Sequence, residues 1–111
     1  KHSYKVVPVT EAELRKMFSD GQYWIKVKAG DLRQRLVRVR HPCPPRAQEP
    51  VCTASQIISY HDTDGKKVAI VHQYVRPDGT LGASGMPDPK TLLIGDTLYT
   101  VQEPKNPAPG Y

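Results

Sequence analysis

The sequence predicts an α+β domain: one N-terminal amphipathic helix packed on a curled antiparallel sheet of about five to six strands, arranged as three hairpins. Two observations carry this. Thr10 to Gly21 holds a helix-start signature followed by a helical apolar stripe, and the rest of the chain alternates between apolar and polar residues in short runs cut by Gly and Asp. A content of 11 Pro and 8 Gly in 111 residues favours many turns and short strands over long helices.

Residues 1–9 read as an extended lead-in restrained by Pro8. Thr10-Glu11-Ala12-Glu13 is a capping box, with Val9 and Leu14 placed as a hydrophobic staple. Leu14, Met17 and Phe18 form one stripe, and Asp20-Gly21 ends the helix, Gly21 being expected in the left-handed position. The first hairpin is expected from Tyr23–Lys28 and Leu36–Arg40 across Ala29-Gly30-Asp31. Tyr23, Ile25 and Val27 would join Val37 and Val39 over the core, leaving Trp24, Lys26, Lys28, Arg38 and Arg40 on the outer face. His41 to Pro50 is an irregular, Pro-rich excursion. Ser55–His61 and Lys66–Arg76 form the second hairpin across Asp62-Thr63-Asp64-Gly65, and Thr91–Ile94 and Thr97–Val101 the third across Gly95-Asp96. Residues 1–103 thus read as a single domain and 104–111 as a Pro-rich flexible tail.

The run KKVAIVHQYVR is apolar on both faces at first, as a central strand is. Toward its end one face changes to His72, Tyr74 and Arg76 before the glycine-rich loop 77–90. A chain of this length buries about two-thirds of its unfolded surface and needs neither metal nor disulfide to fold. No apolar run is long enough to span a bilayer, so no membrane partner is expected. No signal-peptide pattern opens the chain at Lys1, which points to a processed product or excised domain and leaves the compartment unread.

The net charge of +5 is concentrated: Lys26, Lys28, Arg33, Arg35, Arg38, Arg40 and Arg46 share their segment with Asp31 alone. Such a segment attracts phosphates or acidic protein surfaces, while the same charges also serve solubility and discourage edge pairing. Trp24 among cations has the composition of a stacking platform for single-stranded nucleic acid, although a lone Trp beside lysine stems is more often packing or a partner contact.

Carboxylate catalysis is disfavoured, because six of the seven Asp residues (20, 31, 64, 78, 88, 96) adjoin Gly or Pro and read as turn formers. A metal-independent ribonuclease would use His72 and His61 as base and acid, Arg76 for charge and Tyr74 as a hydroxyl. Against it stands a sheet His and Tyr satisfied by their neighbours. His41, Cys43, Cys52 and His61 are all zinc-binding types, but their spacing matches no standard module, so no metal is expected. Cys43 and Cys52 are alternatively a disulfide or two thiols. The segment Gly79–Gly85 lacks the Gly-Lys-Ser/Thr ending of a phosphate loop, so no cofactor is expected, and it reads instead as a surface loop with Met86 as an apolar anchor. The leading expectation is a non-catalytic module binding nucleic acid or an acidic protein through Trp24, Lys26, Lys28, Arg38 and Arg40. The alternatives are the ribonuclease, and an interaction protein or homodimer using the 77–90 loop or a strand edge.

Overall fold

A computed structural model describes residues 4–40, 50–82 and 85–102. They form β1 (Lys5–Val9), α1 (Glu11–Asp20), α2 (Tyr23–Ala29), β2 (Arg33–Arg40), β3 (Ala54–His61), β4 (Lys67–Val75), β5 (Asp88–Ile94) and β6 (Thr97–Val101). The sheet order is β1-β6-β5-β4-β3-β2. Strands β2 to β6 run as an antiparallel meander, and β1 adds to the far edge, parallel to β6. The expected curled set of three hairpins is therefore an open, mixed sheet with β1 and β2 as its edges.

Helix α1 begins as its sequence dictates. Thr10 Oγ1 accepts from the Glu13 amide at 3.1 Å, and Glu13 Oε1 accepts from the Thr10 amide at 3.0 Å. Leu14 and Phe18 join one buried cluster with Ile58, Tyr60, Ala69, Val71 and Leu92. The helix ends differently from expectation. Gly21 has a right-handed φ of −80°, and the left-handed residue is Gln22, at φ 55°. Gly21 is required for a different reason, since a Cβ there would sit 2.5 Å from the Tyr23 ring.

The expected strand at 23–28 is a second helix, α2, and so the first expected hairpin does not form. Tyr23 stacks on Phe18 at 5.5 Å between ring centroids, and Tyr23, Trp24 and Val27 all pack against the core. That spacing is a helical stripe; in a strand Trp24 would point away from the other two. Strand β2 pairs with β3 instead, with a register shift between Leu36 and Arg38.

Strand β4 lies inside the sheet, as its apolar run predicts. Ala69, Val71 and Gln73 are buried on the side of α1, while Ile70, His72 and Tyr74 are half-buried on the other. Strand β5 starts at Asp88, earlier than the expected Thr91, because its pairing with β4 passes through a bulge at Lys90. Asp88 is thus a strand residue rather than a turn former. The excursion at 41–49, with Cys43, and the tail at 104–111 lie outside the described residues. No helix among the described residues is long and apolar enough to cross a membrane.

Candidate functional site

Register places the chemistry. Arg38 pairs with Ile57, Ile57 with His72, and His72 with Asp88. One step along, Arg40 pairs with Ser55 and Ser55 with Tyr74. Residues directly opposite share a face, so these two rows lie together on the side of the sheet away from α1. Two strand spacings put the Cα atoms of Arg38 and His72 about 10 Å apart, most of which an arginine side chain spans. All eight residues of β2 are exposed, and no described acid pairs with Arg35, Arg38 or Arg40.

Within the rows, Ser55 Oγ lies 2.7 Å from His72 Nε2, and the His72 and Tyr74 rings meet edge to face at 4.7 Å. Burial pushes the His72 pKa below its usual value, the Lys90 ammonium lowers it further, and Asp88 opposes both. The imidazole is therefore neutral at pH 7. Asp88 does not orient it: Oδ1 accepts from Arg15 Nε and Oδ2 from Lys90 Nζ, each at 3.2 Å. A serine–histidine pair whose carboxylate is engaged elsewhere is not an assembled nucleophilic triad.

Beside these rows a cleft of about 580 Å³ opens between α1, the end of β4 and the start of β5. Phe18, Tyr74, Met86 and Pro87 are among its walls, with Arg15, Gln73 and Asp88 as polar members. Gln73 donates from Nε2 to Gln56 Oε1 at 2.9 Å, while its own Oε1 is buried without a partner.

The structure brings together some of the expected site residues and separates others. Arg38 and Arg40 share a face with His72 and Tyr74. Trp24, Lys26 and Lys28 are on α2, off the sheet, with Lys28 Nζ 5.6 Å from the Trp24 ring centre and Trp24 packed on the core. His61 lies four residues along β3 from the partner of His72, about 13 Å away. It bonds instead to Ser59 Oγ at 2.8 Å and to the Gly65 carbonyl. Arg76 falls past the end of β4, where its amide donates to the Thr80 carbonyl and its charge holds the Asp78 pKa down behind the larger effect of Thr80 hydrogen bonds. The two-histidine acid–base couple is therefore not assembled in this arrangement.

Sequence reasoning missed Ser55, Asp88, Lys90, Arg15 and Gln73. Ser55 was within reach of it, because the turn at 62–65 sets the register of β3 on β4. Of the four zinc-binding types, His41 and Cys43 lie outside the described residues. Cys52 is exposed at φ 74°, and no group of three metal-ligating side chains occurs among the described residues. Comparison with known proteins finds no match: no family model, curated sequence or solved structure aligns significantly with the chain.

Proposed function

We propose that this protein is a binding module for single-stranded nucleic acid, which lies across the sheet face opposite α1. The observation that supports it is the juxtaposition of Arg38 and Arg40, without acidic partners among the described residues, with the His72–Tyr74 ring pair in the same two rows. Cations fix a phosphate backbone, and rings beside them offer stacking surfaces for its bases. Lys26 and Lys28, carried on α2, are no longer members of this face.

The test is retention of a labelled single-stranded RNA in EDTA at rising salt, for wild type and for Arg38→Glu/Arg40→Glu. Affinity is expected to fall with salt by about 0.7 in log–log slope for each phosphate neutralised. The double variant should lose most binding at low salt; unchanged binding would remove the proposal. Binding without cleavage is expected, since His61 stands too far from His72 to act as its acid. Cleavage that disappears in His72→Ala would replace the binding reading with the metal-independent ribonuclease.

A further inference from the structure

The cleft beside His72 is not used by a strand lying flat on the sheet, yet it has the attributes of a ligand site. Its volume of about 580 Å³ falls inside the range of roughly 300–1,000 Å³ typical of small-molecule pockets. It exists because of where β5 begins. Strand β5 pairs with β4 only as far as His72, so Gln73 and Tyr74 run on without a β5 neighbour, and Tyr74 accepts instead from the Gly82 amide. Both faces of β4 thereby contribute to one opening, with Phe18 and Arg15 of α1 across from it.

The lining dictates what fits. Phe18, Tyr74, Met86, Pro87 and Pro89 offer aromatic and apolar surface suited to a flat ring. The cationic member, Arg15, is already matched by Glu11 at 3.1 Å and Asp88 at 3.2 Å, so no charge waits for an anion inside. What is unmatched is an acceptor. Gln73 is 8% exposed, and its Oε1 has no hydrogen-bond partner even though its Nε2 is committed to Gln56. A buried carboxamide oxygen left unpaired is costly, and a small rotation of the Gln73 side chain toward the cleft would let a ligand donor satisfy it. The Asp88 carboxylate, with lone pairs left after its two cations, is a second acceptor in the same wall.

We propose that this cleft receives one nucleobase, turned off the sheet face, and favours bases that carry an exocyclic amino group. The inference rests on the nucleic-acid reading of the adjoining face. The base sits between Phe18, Tyr74 and Met86, its amino group donates toward Gln73 Oε1, and its phosphates stay with Arg38 and Arg40. Adenine, cytosine and guanine present an exocyclic amino donor to the acceptor; uracil, with a carbonyl where cytosine has its amino group, has only its ring N3–H to offer, set back from that position.

Trp24 supplies the reporter. It is the chain's single Trp, and it lines an adjoining cavity of about 360 Å³ that shares Phe18, Ser19 and Met86 with the cleft. The experiment titrates adenosine, cytidine and uridine, all without phosphate, into the intact protein. It follows Trp24 emission and the Gln73 side-chain amide resonances, and in parallel measures retention of an abasic sugar-phosphate oligomer at low salt.

Saturable shifts at both probes are expected with adenosine and cytidine, and about tenfold weaker binding with uridine, the equivalent of one hydrogen bond. Gln73→Leu should erase that discrimination. Should this buried substitution fail to fold, Met86→Ala at the exposed rim should weaken every nucleoside several-fold while leaving the abasic oligomer bound. Equal binding of the three nucleosides, or no shift with any of them, overturns the proposal whether or not the oligomer binds. Failure of the abasic oligomer alone counts against the sheet-face reading and leaves the nucleoside result to decide the cleft.

Discussion

The two faces of the sheet are built from the same strands and differ in burial and composition. On one, Ile58, Tyr60, Ala69, Val71 and Leu92 are buried beneath Leu14 and Phe18. On the other, the residues one position away, among them Ile57, Ile70, His72 and Tyr74, remain half-buried, and the edge strand β2 adds the exposed Arg38 and Arg40. Because side chains alternate with a period of two, stability and chemistry are separated by single steps along the chain. A substitution should therefore disturb one without the other.

The largest effect is expected from Leu92→Ala, which empties a fully buried site at the middle of the covered face. It should cost about 2–5 kcal/mol in denaturant unfolding. Arg38→Glu/Arg40→Glu, which should remove binding, is the contrast in the same unfolding experiment. If it cost as much as Leu92→Ala, the separation of the two faces would be wrong.

A smaller loss should follow Thr10→Ala, which removes the side-chain acceptor of the capping box where the chain leaves β1 for the covered face. About 1 kcal/mol is expected, without change in nucleic-acid retention.

The smallest effect belongs to the other face and depends on pH. With its folded pKa below the ordinary 6.5, His72 takes up its proton more readily in the unfolded chain. Its contribution is thus complete above about pH 6.5 and is lost as pH falls from there through the lowered folded value. Thermal midpoints at pH 7.5 and 5.5 should fall further for wild type than for His72→Gln. Parallel falls would mean that His72 is not held neutral by its surroundings.

Local signals in the sequence were legible where the structure obeys them locally. Thr10 and Glu13 specify a cap that forms with both of its hydrogen bonds. The Asp62–Gly65 and Gly95-Asp96 turns each join the strands they separate, with Gly65 and Gly95 at positive φ. Tyr23 to Lys28 was misread because Tyr, Trp, Ile and Val favour strands one residue at a time. The stacking of Tyr23 on Phe18 and the burial of Trp24 and Val27 on the same core reverse that preference, and no window of seven residues contains this information. The same holds for the site. His72 and Tyr74 stand two apart and are visible as a pair, whereas Ser55, Asp88 and Arg15 come to them from three other elements. Gln73 carries no local signal at all, since its orphaned oxygen is a property of the packed structure.

The parallel pairing of β1 with β6 also bears on how the chain reaches this state. Lys5 lies beside Thr97 and Val9 beside Val101, so the earliest of the six strands finds its neighbour only in the sixth. Strands β2 to β6 can zip in sequence, each closing a loop of at most 13 residues onto the strand before it. Strand β1 must instead close a loop around the whole domain, an entropic cost that nothing local offsets in advance. The edge carrying β1 is thus the one part of the sheet whose pairing requires the two ends of the described fold to meet.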